Sequence, residues 1–185
     1  LLKRIVAHAR EWPMGDPLNP LNRVGALVSR AHYDKVAGYL GADKKVGSPK
    51  VLLGGTADAG FVEPTILEVA RDARQAREEI FGPILTVLTV DNYDEAIALA
   101  NDTDYGLAAS IFTANVKKAI RGARAIRAGT VTVNSFGEGD ISTPFGGYKH
   151  SGFGGRDNGI HAHDQYTQIK TIWIDLADDL DEAVA

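Results

Sequence analysis

Between residues 84 and 134 two periodicities alternate in a fixed order, and that alternation restricts the fold more than any other feature. Ile84–Val90 is rich in β-branched residues and alternates as a strand does. Asn92 with Glu95 three residues on resembles a capping box, and the helix it opens runs to about Ala100. Ala108–Thr113 reads as a strand. Val116, Ala119, Ile120 and Ala123 then mark a helix ending near Gly129, and Thr130–Asn134 is a further strand. Strands separated by helical crossovers pair in parallel. The pattern predicts an α/β fold: a doubly wound, mostly parallel sheet with helices on its faces.

The flanking segments are less regular. Leu2, Ile5, Val6 and Ala9 recur at helical spacing, so residues 1–12 read as an amphipathic helix ended by Pro13. A turn-rich loop covers 14–20. A second helix is expected over 30–40, with Tyr33, Val36, Ala37 and Leu40 on one face and Gly41 as its C-cap. Val51–Leu53 and Phe61–Val69 read as short strands. A Gly-rich loop occupies 135–160, long enough to suspect function. Ile169–Leu176 reads as a last strand before an acidic tail.

Charge and cysteine usage narrow the functional classes. The chain has 185 residues and a net charge of -4. Five acids, Asp175, Asp178, Asp179, Asp181 and Glu182, crowd the C-terminus, so the body is nearly neutral. That argues against a nucleic-acid partner, which draws on a basic excess. No apolar run approaches the roughly 18 residues that span a bilayer. A chain that opens mid-helix without an initiator Met or a signal-peptide layout reads as a fragment. With no cysteine among its residues it offers no disulfide, no thiolate metal ligand and no thiol nucleophile. His161 and His163, two apart and without further ligands, read as packing or surface residues and not as a metal site. Lys117, Lys118, Arg121, Arg124 and Arg127 read as a solvated helix face.

Two segments could carry chemistry. Glu78-Glu79-Ile80-Phe81-Gly82-Pro83 places carboxylates, an aromatic ring and a turn directly before a strand. A carboxylate can accept two hydroxyl hydrogen bonds, which suits a ribose, and a ring can pack beside a flat heterocycle. The same residues also suit a surface carboxylate and a core Phe. In the loop from Asn134 to Lys149, Glu138 and Asp140 are separated by one Gly and flanked by Phe136 and Phe145. Acids beside aromatic rings could recognise an amine or guanidinium on an apolar tether. A solvated turn would use the same residue types.

Taken in order, four motifs resemble the aldehyde dehydrogenase superfamily: Glu79-Ile80-Phe81-Gly82-Pro83; Ala100 to Leu107; Ala128-Gly129-Thr130-Val131-Thr132-Val133-Asn134; and Pro144-Phe145-Gly146-Gly147-Tyr148-Lys149-His150-Ser151-Gly152. The likeness extends over residues 1–176. The anchor loop and the ending Gln165-Tyr166-Thr167-Gln168-Ile169-Lys170-Thr171-Ile172-Trp173-Ile174 are most similar to dehydrogenases of γ-glutamyl-γ-aminobutyraldehyde and 4-guanidinobutyraldehyde, which serve polyamine and arginine breakdown. One departure is Ser151-Gly152-Phe153-Gly154-Gly155-Arg156, a residue longer than the family's common pattern.

The resemblance implies that Glu79 binds the nicotinamide-side ribose of NAD and that Phe81 packs against it, with NADP also open. It implies that Phe136, Glu138, Asp140 and Phe145 line or flank an aldehyde tunnel; a cationic tail facing Glu138 and Asp140 is a further expectation. It divides the chain into a partial catalytic domain at 1–160, with its substrate anchor loop at 135–160, and an oligomerisation strand with acidic tail at 161–185. The partners implied are a small-molecule aldehyde and further copies of the chain, as a dimer or tetramer, in the cytoplasm. In the family a cysteine thiolate attacks the aldehyde and hydride passes to NAD. The nucleophilic Cys, the general-base Glu and the oxyanion-holding Asn are expected upstream, so no catalytic group is assigned here and the chain alone should be inactive. The rival reading is a stand-alone, non-catalytic binding or interaction module with the same fold.

Overall fold

The computed structural model describes residues 1–41, 47–137 and 139–175. Glu138, Leu176 and the acidic tail after it therefore lie outside the described residues. The chain divides into two units, Leu1–Ala96 and Ile97–Ala185.

In the first unit, helix α1 covers Leu2–Ala9. Amides of Glu11 and Trp12 then bond three residues back, to His8 and Ala9, so the expected helix tightens into turns before Pro13. Helix α2, Arg30–Ala37, starts where the Ser29 hydroxyl accepts from the His32 amide. It stops at Gly38 and not at the expected Gly41. Four strands follow: β1 (Lys50–Leu53), β2 (Ala57–Asp58), β3 (Phe61–Val62) and β4 (Thr65–Glu68). The run read as one strand over 61–69 is thus two. Pro64 carries no amide to continue a ladder, and the chain changes partner there. After the short helix α3 (Arg74–Arg77) comes β5 (Ile84–Val87).

Strand β4 is central, antiparallel to β1 and parallel to β5. Paired on both edges, it presents Thr65, Ile66 and Leu67 as a continuous buried run, the signature of a covered strand. The same unit holds a core of Val36, Tyr39, Val62 and Ile80, against which Leu27, Tyr33, Leu40, Ala57 and Ile84 pack. Three of its buried members are Val36 of α2, Tyr39 two residues past its end, and Ile80 of the Glu78–Pro83 segment, which couples that segment to the fold.

Helix α4 (Tyr93–Asn101) leads into the second unit. The Asn92 side chain accepts from the Glu95 amide, while Glu95 reaches back to the amide of Asp91, a capping box displaced by one residue. Then come β6 (Tyr105–Gly106), β7 (Ala108–Ile111), α5 (Val116–Ala125), β8 (Thr130–Val133), β9 (Tyr148–Lys149) and a 3₁₀ helix at Ile160–Gln165. Strands β7 and β8 pair in parallel across α5, as the alternation predicts. Asn115 caps α5, whose buried residues are the small Ala119 and Gly122, three apart on one face. The basic residues at 117, 118, 121, 124 and 127 are all exposed.

Of the strand expected over Ile169–Leu176, the described residues 169–175 have no regular structure. A strand exists only against a partner, and alternation alone supplies none.

Candidate functional site

Glu78–Gly82 is held at nearly every residue, each by a different device. The Tyr39 hydroxyl donates to Glu78 Oε2 at 2.6 Å, and Arg74 Nη2 donates to the same oxygen at 3.2 Å. Tyr39 is 2% exposed, and the Arg74 guanidinium lies 4.2 Å above its ring. The Tyr39 hydrogen bond, then Arg74, holds the Glu78 carboxyl below the usual range. Burial and the bond to Glu78 push the Tyr39 phenol up. The Glu79 carbonyl accepts from Lys35 Nζ at 3.1 Å. Ile80 is buried in the core. The Phe81 carbonyl lies 2.7 Å from His32 Nε2; a carbonyl only accepts, so that nitrogen carries the proton. Gly82 lies on Val36, where a Cβ would come within 2.6 Å of a methyl.

What this segment leaves free is as informative. The Glu79 carboxylate is exposed and has no hydrogen bond or ion pair among the described residues. Phe81 adopts φ 57°, rare for a non-glycine residue, and its ring is 69% exposed. The conformation is sustained by the anchors on either side. Of the two uses open to Phe81 from sequence, the buried core position belongs to Ile80 instead. A free carboxylate two residues from an exposed ring could accept hydrogen bonds from a diol and pack against a flat heterocycle.

The second candidate segment begins where β8 ends. Asn134, at φ 53°, donates from Nδ2 to the Thr113 carbonyl and accepts on Oδ1 from the Thr113 amide, at 2.9 and 2.8 Å. Thr132 Oγ1 donates to the Ser135 carbonyl at 2.9 Å. Phe136 follows with its ring 91% exposed. Asp140 Oδ1 accepts from both the amide and the hydroxyl of Ser142, at 2.9 and 2.7 Å. Those two bonds, the hydroxyl foremost, keep its carboxyl below the ordinary range. Phe145 exchanges backbone hydrogen bonds with Asp157, both 2.6 Å.

Phe136 and Phe145 both line a cleft of ≈ 670 Å³, together with Gly137, Gly139 and Leu107–Ser110. Asp140 is not among the residues that line it, and one of its oxygens is committed to a turn. Glu138 lies outside the described residues. Another groove, of ≈ 680 Å³, runs between α1 and the β4–β5 region past Trp12, Pro64 and Pro83, and none of the expected site residues lines it.

The remaining motif residues act as staples. Lys149 Nζ donates to the carbonyls of Asn101 and Thr103, at 2.9 and 2.8 Å, completing the C-terminal end of α4. Asn101 in turn bonds the Ala125 carbonyl and the Arg127 amide beyond α5. Among the described residues no group of three or more His, Cys, Asp or Glu is placed to hold a metal ion, and no helix is long and apolar enough to cross a membrane. Sequence reasoning passed over His32, Lys35, Tyr39 and Arg74. The only local signal was the spacing of His32 and Lys35, which puts both on one face of a helix.

Comparison with known proteins identifies the family. Residues 1–172 match the aldehyde dehydrogenase family, and the chain belongs to that family. It is 62% identical over 179 residues to aminoacetaldehyde dehydrogenase of Pseudomonas aeruginosa, covering 96% of this chain and 36% of that protein. Among solved structures it matches a mutant of the P. syringae indole-3-acetaldehyde dehydrogenase AldA, bound to NAD+ and IAA, with TM-score 0.87 and 46% identity, over 95% of this chain and 36% of that one. It also matches the γ-glutamyl-γ-aminobutyraldehyde dehydrogenase of Burkholderia cenocepacia J2315, with TM-score 0.85 and 44% identity, over 91% and 35%. The chain thus spans little more than a third of the length of these relatives.

Proposed function

We propose that the gene product carrying this sequence is an NAD(P)-dependent aldehyde dehydrogenase that oxidises an amino- or guanidino-aldehyde to a carboxylic acid. In this reading Glu79 accepts hydrogen bonds from the two hydroxyls of the nicotinamide-side ribose, and Phe81 packs against the adjoining ring. The cofactor, when bound, supplies the hydride acceptor. Phe136 and Phe145 wall the approach of the aldehyde, and the charges of Asp140 and Glu138 in the same loop favour a substrate with a cationic tail. No residue here can serve as a thiol nucleophile, since the chain has no cysteine; the 185 residues by themselves turn over no aldehyde.

The observation that carries the reading is the free Glu79 carboxylate beside the exposed Phe81 ring on an otherwise fastened turn. The names of the relatives, dehydrogenases of aminoacetaldehyde and of γ-glutamyl-γ-aminobutyraldehyde, support the substrate class and a place in polyamine breakdown. They favour an enzyme over a stand-alone binding module. A cytoplasmic homodimer or homotetramer completes the proposal. Its support is the segment holding Ile169, Ile172, Trp173 and Ile174, all exposed and without regular structure in the single chain.

The deciding experiment is NAD binding by titration calorimetry to the full gene product and its Glu79→Gln variant. Glutamine keeps the shape but gives up charge-assisted acceptance from two hydroxyls. The dissociation constant should rise by about tenfold or more. Unchanged affinity for both NAD and NADP would remove Glu79 from the cofactor site.

A further inference from the structure

We infer that Ser110 is a specificity-determining residue whose hydroxyl oxygen accepts a hydrogen bond from an N–H group on the tether of the aldehyde in the Phe136–Phe145 cleft. This rests on the reading of that cleft as the approach of the aldehyde and names the chemistry it selects.

The parallel pairing of β7 with β8 sets Ser110 opposite Thr132. Their hydroxyl oxygens lie 2.8 Å apart. Thr132 Oγ1 is also 2.9 Å from the carbonyl oxygen of Ser135, the residue just before Phe136. The two hydroxyls therefore stand on the side of the strands from which the loop over the cleft departs.

Counting protons fixes the direction of this chain. A carbonyl only accepts, and a hydroxyl has one proton to give. Thr132 gives its proton to Ser135, so both short bonds exist together only if Ser110 donates to Thr132. The Ala109 carbonyl, 3.5 Å from Thr132 Oγ1, also only accepts and leaves that direction unchanged. The Ser110 proton is thus committed to Thr132, and its oxygen offers lone pairs alone. A hydroxyl that donates within such a chain accepts more strongly. Ser110 is exposed, so a ligand group that comes to its oxygen has to bring a proton.

The surroundings define the rest of the ligand. Among the described residues that line the cleft, Ser110 is the one with a polar side chain. Apolar walls with a single acceptor suit an apolar tether carrying an N–H. An alkyl group in the same place would cover the Ser110 oxygen without giving it a partner, which costs affinity. The loop is tied at both ends, by Asn134 to Thr113 and by Phe145 to Asp157, so the acceptor and the two rings are placed before a ligand arrives. Because the acceptor is a neutral hydroxyl, it reads the N–H and not the charge. It should separate a primary ammonium from a quaternary one of equal charge.

The test uses the full gene product and its Ser110→Ala and Phe136→Ala variants. For each, kcat/KM is measured with β-aminopropanal, with its trimethylammonium analogue and with butanal. Ser110→Ala removes one exposed hydroxyl and leaves the backbone pairing of β7, so its circular dichroism should match wild type. It should lower kcat/KM about tenfold for β-aminopropanal and leave the other two aldehydes level. An equal fall for all three, a fall for both cations, or no fall at all overturns the inference. Phe136→Ala tests the cleft itself and should lower kcat/KM for all three. Should it change none, the reading of the cleft falls; should it lower all three while Ser110→Ala changes none, only the role of Ser110 falls.

Discussion

The crossing of Gly129 over Gly146 is the point at which the second unit is least able to accept one added carbon. A Cβ built on Gly129 would lie 1.7 Å from the Gly146 carbonyl oxygen and 2.8 Å from its carbon. Carbon and oxygen rest no closer than about 3.3 Å, so the backbones must separate by roughly 1.5 Å. Gly146 has no room to withdraw, because its own Cβ position is 2.5 Å from the Gly155 carbonyl. Gly129 is also bonded through its amide to the Gly106 carbonyl at 3.0 Å, which resists movement the other way. Overpacking by one methyl costs about 1–3 kcal/mol where side chains can yield. With backbone on both sides Gly129→Ala should cost about 3 kcal/mol. At roughly 2–4 °C per kcal/mol for a chain of this size, Tm should fall by about 6–12 °C, followed by circular dichroism. Gly25→Ala is the control, since its nearest neighbour is 3.8 Å away and its φ is not positive. It should leave Tm unchanged or raise it slightly, through the lower entropy of the unfolded chain. A Gly129→Ala Tm within about 2 °C of wild type would show that the crossing does not constrain the fold and that the path to Phe145 is set elsewhere.

Three further perturbations follow from named contacts. Tyr39→Phe removes the hydroxyl that donates to Glu78, a half-exposed carboxylate that water can partly re-satisfy, so the loss should be about 1 kcal/mol and a Tm drop of about 2–4 °C. Because the folded-state pKa of Glu78 is depressed, this contribution is present above the usual glutamate range and lost as pH falls through the lowered value; the Tm gap between wild type and variant should close in acid, and a constant gap would refute the assignment. Lys149→Met keeps length while losing both bonds to the end of α4, and calorimetry should show a loss of about 1 kcal/mol; no change would mean that solvent caps the helix equally well. Asp140→Asn retains an acceptor for Ser142 while removing charge, so in the full gene product KM should rise for a cationic aldehyde and stay level for a neutral one; equal shifts would leave Asp140 as a turn residue only.

Which parts of this architecture can be read from residues alone follows from the range over which each physical cause acts. The β7–α5–β8 unit was legible because its determinants are local: β-branched alternation, an Asn cap and small residues at helical spacing. The break at Pro64 and the bare segment at 169–175 were not, because a strand is defined by its neighbour and hydrophobic pattern does not say whether one exists. The candidate site divides in the same way. Glu79 and Phe81 could be singled out because what they present, a carboxylate and a ring, is written in their side chains. What holds them could not, because His32 reaches Phe81 across 49 residues and bonds a peptide oxygen that every residue type carries. A side chain that captures backbone imposes no chemistry on the residue it captures, so the captured position shows no matching partner in the sequence. The same asymmetry explains Lys149 and Asn101, which stand within the motifs that carry the family resemblance yet spend their polar groups on carbonyls and amides of the fold. Motifs in such a chain mark where backbone geometry is demanding, and only the few side chains left unspent after that demand is met, Glu79 and the rings of Phe81 and Phe136 among them, are free to meet a ligand.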